Sequence, residues 1–186
     1  MTVLRDQLLA GRAIALGGVS DHLHQRLESL GAQIEALPAA DELPADEERV
    51  GEWARSRAPL QALVYDSSGA FASGGEAALQ SALERAWCVV REVATGALIP
   101  SEGPGQVLLI GPVPDAGALS GAARAALENL ARTLSVEWAR YQVTAVMIAP
   151  GTGTTEEELA ELVCFLVSEA GGYFSGCRID LGAVGE

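Results

Sequence analysis

Apolar positions fall into two spacings along this chain, and the two alternate. Short, mostly apolar runs occupy residues 12–16 (RAIAL), 33–37, 60–65, 106–110, 142–149 and 178–181. Runs of this length, closed by turn residues, predict buried strands. The closures are explicit at Gly17-Gly18, Gly111-Pro112 and Pro150-Gly151. Between the runs, apolar residues recur every three or four positions, as on one face of a helix. Ser20 is placed to cap a helix that carries His22, Leu23, Leu27 and Leu30 and ends at Gly31. Val50 and Trp53 mark a helix over 48–56. Leu79, Leu83, Ala86, Trp87, Val90 and Val93 predict a long one over 75–97. Ala123, Leu127, Leu130, Leu134 and Trp138 predict another over 120–140. Thr155-Glu156-Glu157-Glu158 has the spacing of a capping box and opens a helix running to about residue 168.

Neighbouring parallel strands need crossover helices, so this alternation predicts an α/β fold. The expected architecture is a doubly wound parallel sheet of about six strands, covered on both faces, with residues 1–186 forming one domain. Residues 38–48 are the least core-like stretch. They hold two prolines and the acids Asp41, Glu42, Asp46, Glu47 and Glu48, the pattern of a solvated loop entering a helix N-terminus.

Charge narrows the function. With 25 acidic and 12 basic residues, the net charge is −13. Such a surface repels nucleic-acid backbones and anionic membranes, so neither is an expected partner. No apolar run approaches the ~20 residues of a membrane span, and residues 1–11 lack a secretory apolar core. Cys88, Cys164 and Cys177 are odd in number and far apart, which predicts reduced, buried thiols in a cytoplasmic protein. His22 and His24 stand two apart and do not share a helix face, so they predict a surface helix and no metal site. Asp66-Ser67-Ser68 has no histidine after it in the chain, which argues against a Ser-His-Asp nucleophile.

The second half resembles the short-chain dehydrogenase/reductase superfamily. Residues 124–140 (RAALENLARTLSVEWAR) are similar to that family's helix beginning KAAL. Residues 143–155 (VTAVMIAPGTGTT) resemble its R-V-N-x-V-x-P-G strand and following threonine, with Pro150, Gly151 and Thr155 in register. Residues 162–182 (LVCFLVSEAGGYFSGCRIDLG) resemble its F-L-x-S helix, Y-x-T-G turn and final D-G-G strand. The likeness is specific over 105–182 and weaker over 12–105.

The resemblance implies a Rossmann-like sheet, and it also shows which chemistry the sequence lacks. The family transfers hydride with NAD(P), using a tyrosine as acid, a lysine four residues on, a serine and an asparagine. Ser120 falls at the tyrosine position and Arg124 at the lysine position. A serine hydroxyl is a far weaker acid than a phenol, and arginine does not replace lysine at such a site. Ile110-Gly111-Pro112 stands where the serine strand ends, and the asparagine position lies near Glu84. The T-G-x-x-x-G-x-G phosphate turn is reduced to Gly17, Gly18 and their neighbours, with Asp21 adding a negative charge. Asp66-Ser67-Ser68-Gly69 stands for N-N-A-G. Residues 37–60 leave room for one helix only, so one edge strand is expected to be missing, and the helix after Thr155 leaves no substrate lid.

The expectation is a catalytically inactive, dehydrogenase-like subunit with no cofactor and no metal. Its partner is an active dehydrogenase-like chain in a hetero-oligomer, or a second copy of itself. In the family the two long helices form the main subunit interface and the C-terminal segment a second one. The resemblance therefore marks Trp87, Arg91, Ala125, Asn129, Trp138, Tyr173 and Phe174 as interface candidates, with core packing the other reading of Trp87 and Trp138. Two alternatives remain: an oxidoreductase with a rearranged site, and a small-ligand sensor on the same fold.

Overall fold

The computed structural model describes residues 4–38, 47–71 and 75–182. Along the chain run β1 (Ala13–Gly17), α1 (Asp21–Ser29), β2 (Gln33–Ala36), α2 (Glu47–Arg57), β3 (Ala62–Asp66) and α3 (Glu76–Val93). They are followed by β4 (Gly105–Ile110), α4 (Ser120–Glu137), β5 (Val143–Pro150), α5 (Glu156–Leu166) and β6 (Cys177–Leu181). All strand pairs are parallel, in the order β2-β1-β3-β4-β5-β6. This is the doubly wound α/β sheet expected from the alternation of strands and helices. Among the described residues β2 is one edge of the sheet, and α2 is the one helix between β2 and β3. Asp41, Glu42 and Asp46 of the acidic stretch lie outside the described residues.

The strands read as near-continuous apolar runs because each is buried on both faces. Successive residues of β3 show this directly. Leu63 packs with Val90, Val93, Val107, Leu127 and Leu134 in the layer under α2, α3 and α4. Its neighbour Val64 packs with Leu16, Leu27, Leu108, Ile148 and Val163 in the layer under α1 and α5. The register carries each layer across the sheet, with Ala15 beside Leu63, Leu63 beside Val107 and Val107 beside Ala145. Each fully buried Leu or Val side chain contributes about 1.5–3 kcal/mol.

Local chemistry sets the helix ends. Ser20 accepts from the Leu23 amide at 3.4 Å and caps α1. Thr155 and Glu158 form the reciprocal capping box that opens α5. The helix expected over 75–97 stops being regular at Val93 and continues as a widened π-type turn (Ala94–Leu98) and a 3-10 turn (Ile99–Ser101). Two residues account for this. A Cβ on Gly96 would lie 3.0 Å from the Ala54 side chain, so the glycine lets α2 come close. Pro100 has no amide hydrogen to continue the ladder.

One polar side chain crosses the inner layer. Gln106 of β4 is buried and donates to the Leu166 carbonyl at 2.7 Å and the Ser168 carbonyl at 3.1 Å. Its Oε1 accepts from Arg12 Nη2 at 2.6 Å. Among the described residues, no helix is long and apolar enough to cross a membrane.

Candidate functional site

Six parallel strands bring their carboxyl ends to one edge of the sheet. The strand order turns back between β1 and β3, and ligands of doubly wound sheets bind outside such a switch point. A cavity of about 520 Å³ lies there, lined by Gly17, Gly18, Leu37, Tyr65, Asp66 and Arg85 among others.

Glycine is required on its β1 side. Gly18 has φ +71°, and a Cβ there would lie 2.1 Å from the Asp66 carbonyl oxygen. A Cβ on Gly17 would come within 2.7 Å of Leu37 and 2.8 Å of Tyr65, so its absence lets those two side chains close over the turn. Only Gly18, Val19 and Ser20 separate β1 from α1. Ser20 Oγ occupies the Leu23 amide, and Asp21 places a carboxylate in the first turn of α1. On the β3 side, Asp66 accepts from the Ser68 amide at 2.8 Å. Burial pushes the Asp66 carboxyl above its ordinary range, against the lowering effect of the Ser68 bonds. Burial also raises the Tyr65 phenol, and the charge of Arg85 partly offsets it.

The ends of β4 and β5 meet the start of α4. Ser120 is buried, and its hydroxyl donates to the Pro114 carbonyl. Arg124, one helical turn further on, is 7% exposed. Its Nη1 donates to the Pro112 carbonyl at 2.6 Å and to the Pro150 carbonyl at 2.7 Å. Its Nη2 lies 3.7 Å from Asp180 Oδ1. Burial lowers the Arg124 pKa first, the nearby Arg178 charge lowers it further, and Asp180 opposes both. The guanidinium thus clamps the loops after β4 and β5 together. At the same edge, Gly151 N and Thr154 Oγ1 donate to the Leu181 carbonyl at 2.6 and 2.5 Å and hold the end of β6. The helix α5 starts directly after Thr155.

The other candidates are spread over the molecule. Glu84 faces solvent and accepts from Gln80 at 2.8 Å. Trp87 is 37% exposed on α3, with the Arg91 guanidinium 5.9 Å from its ring centre. Ala125 and Asn129 lie on the exposed face of α4, in line with Ala122 and the 78%-exposed Val136. Trp138 is buried in the layer under α4. Tyr173 is exposed, and Phe174 packs edge-on against Phe165 with ring centres 6.0 Å apart. Cys88 and Cys164 are buried, and burial pushes the Cys164 thiol up to about 12. His24 pairs with Glu28 at 3.5 Å on the surface of α1. Among the described residues no group of side chains could hold a metal ion. Leu37, Tyr65 and Arg85 were not marked by the sequence. At a strand end, Leu37 and Tyr65 have the same signature as core residues.

Sheet order, switch point and helix placement define a Rossmann-like α/β fold. Solved structures share it over nearly their whole length. A citronellol catabolism dehydrogenase (AtuB) from Pseudomonas aeruginosa PAO1 matches with a TM-score of 0.76 at 22% identity, covering 97% of each chain. A hydroxysteroid dehydrogenase from Escherichia coli matches with a TM-score of 0.74 at 17% identity, covering 97% of this chain and 99% of that one. The NADH-dependent enoyl-[acyl-carrier-protein] reductase of Aquifex aeolicus VF5 matches with a TM-score of 0.75 at 16% identity, covering 93% and 95%. At these identities the likeness is one of fold. No family model and no curated protein sequence matches the chain.

Proposed function

We propose that this protein is a non-catalytic, dehydrogenase-like subunit that associates with an active dehydrogenase/reductase chain, or with a second copy of itself. The observation that carries the reading is the Arg124 clamp. At the position the resemblance assigns to a ribose-binding lysine, this side chain is buried and its Nη1 is spent on the carbonyls of Pro112 and Pro150. A guanidinium buried and anchored in this way is not presented to a cofactor, and Ser120 beside it donates to Pro114 instead of facing a substrate.

A nicotinamide dinucleotide does not fit the β1 turn. Its pyrophosphate needs open helix-terminal amides and backbone that a ligand can approach. Here Leu37 and Tyr65 close on Gly17, Ser20 takes the Leu23 amide, and Asp21 repels phosphate. Calorimetric titration of the full chain with NADH and NADPH should therefore show no binding up to ~1 mM, a free energy near −4 kcal/mol. A micromolar dissociation constant for either cofactor would refute the reading and favour an oxidoreductase with a rearranged site.

Support for the partner comes from the outer face of α3 and α4. It leaves Trp87, Ala125, Asn129 and Val136 exposed, a mix of aromatic, small and apolar residues suited to an interface core. Ala125→Glu and Asn129→Glu should each release a monomer in size-exclusion chromatography with light scattering, while Glu47→Lys should not. A wild-type chain that stays monomeric alone and when mixed with the product of a neighbouring dehydrogenase gene would sink the proposal. A second reading, a small-ligand sensor, is favoured by the 520 Å³ cavity with Arg85 in its wall. Loss of ligand binding on Arg85→Ala, with no change in assembly, would distinguish it.

A further inference from the structure

A second cavity is at the other edge of the sheet, where the strands begin. It measures about 800 Å³ and is lined by Arg12, Gln61, Gln106, Ser135, Glu169 and Ser175 among others. Pockets of this volume hold molecules from a few heavy atoms to drug size. The positions that the resemblance assigns to catalysis and cofactor binding do not touch it, since they lie at the carboxyl edge.

Its walls carry one cation, one anion and many neutral hydrogen-bonding groups. Arg12 is held rather than free to swing. Its Nη2 donates to Gln106 Oε1 at 2.6 Å, and Gln106 is itself fixed by the carbonyls of Leu166 and Ser168. The Nη1 end of Arg12 is left for a ligand, while its Nε is too buried to reach one. Among the described residues its buried Nε has no hydrogen-bond partner, and its Nη1 makes no bond. Also on the cavity wall, Glu169 starts the short turn after α5 and forms no ion pair with any described residue. The two charges influence each other, since Glu169 raises the Arg12 pKa against the larger lowering caused by burial. They do not approach within contact distance. The cavity wall thus holds a preset guanidinium and a carboxylate that do not pair with each other.

We propose that this cavity binds a small zwitterion, of amino-acid to dipeptide size, whose carboxylate sits on Arg12 and whose ammonium faces Glu169. A planar guanidinium recognises a carboxylate through paired N–H donors. A simple anion would meet the Glu169 charge without compensation, and a phosphate dianion would meet it twice over, on a protein of net charge −13. A zwitterion satisfies both ends at once. The serine and glutamine side chains of the wall suit its remaining polar atoms. The inference is independent of the proposed subunit role, because it uses no residue of the α3–α4 face or the carboxyl edge.

The test is thermal shift followed by calorimetry on the full chain. The probes are the twenty L-amino acids and their glycyl dipeptides, with propionate, methylammonium and inorganic phosphate as comparisons. At least one zwitterion should raise the melting temperature in a concentration-dependent way. It should bind at least about tenfold more tightly than propionate or phosphate. Arg12→Gln should abolish the shift. Because Arg12 also holds Gln106, two further variants keep folding separate from binding. Glu169→Gln, on an exposed side chain, should erase the preference for zwitterion over propionate. Gly172→Trp, whose side chain projects into open space at the cavity wall, should block binding while leaving the unliganded melting temperature unchanged. The proposal is overturned if no zwitterion shifts the melting temperature at ~10 mM. It is equally overturned if the Gly172→Trp protein binds like wild type, or if propionate or phosphate binds as tightly as the best zwitterion.

Discussion

Replacing Arg124 by methionine keeps the length and apolar stem of the side chain and removes the guanidinium. Two carbonyls, on Pro112 and Pro150, then lose their donor in a buried setting. A buried acceptor left without a partner costs about 1–3 kcal/mol. Two of them set an upper bound of about 6 kcal/mol. The offset is that wild type must bury a charge, and Asp180, 65% exposed at 3.7 Å, compensates it only weakly. Removing that charge returns part of the loss, so the expected net destabilisation is about 2–4 kcal/mol. For a chain of this size each kcal/mol corresponds to about 2–4 °C in Tm. Arg124→Met should therefore melt roughly 4–16 °C below wild type by calorimetry or circular dichroism. Arg124→Lys is the sharper comparison. A lysine ammonium is shorter and more strongly hydrated than the guanidinium whose Nη1 serves both carbonyls, so it should recover less than half of the loss. A clamp that serves structure predicts this order: wild type, Lys, Met. If Arg124→Lys matched wild-type stability and gained NADPH binding, the arginine would be a displaced cofactor residue and the clamp reasoning would be wrong.

Gly18→Ala should be among the most damaging single-methyl additions in the chain. It combines φ +71° with a Cβ 2.1 Å from the Asp66 carbonyl oxygen, and should lower stability by at least about 2 kcal/mol in urea unfolding; an unchanged midpoint would refute the tight β1–β3 approach. Asp66 holds its proton more tightly folded than unfolded. As pH rises above the unfolded value near ~4, the unfolded chain ionises first and stability falls, until the folded carboxyl ionises too. Asp66→Asn keeps an acceptor for the Ser68 amide and should remove that decline, giving a higher Tm than wild type at pH 7 but little difference at pH 3. A variant less stable at pH 7 would contradict the direction of the shift.

The fold was legible because buried parallel strands leave a signal that needs no partner information. The apolar runs of β3 (ALVYD) and β4 (GQVLLI), each closed by turn residues, identify themselves. Caps at Ser20 and Thr155 were equally local, since donor and acceptor lie three residues apart. The end of α3 was not legible, because the contact that widens it, Gly96 against Ala54, joins residues far apart in the chain. The site divides in the same way. The positions of Ser120 and Arg124 came from a motif. Their actual partners are the main-chain carbonyls of three prolines, Pro112, Pro114 and Pro150, and a carbonyl acceptor has no side-chain signature. Arg12 escaped notice for a related reason: its partner is 94 residues away, and a glutamine inside an apolar run reads as an interruption of the pattern.

That glutamine bears on the order in which the chain can assemble. Gln106 sits in a central strand, yet its amide hydrogens are satisfied only by residues 166 and 168. During synthesis β1, β3 and β4 emerge well before those carbonyls do. Until then a sheet built from them must keep a polar side chain in water on the face that α5 will cover. Compaction of that face is therefore tied to the arrival of residues 166–168, and a nascent chain arrested before residue 166 should expose the β4 face to chaperones. Long-range closure of this kind also slows folding. One buried amide thus ties the completion of the inner layer to the synthesis of α5 and the turn after it.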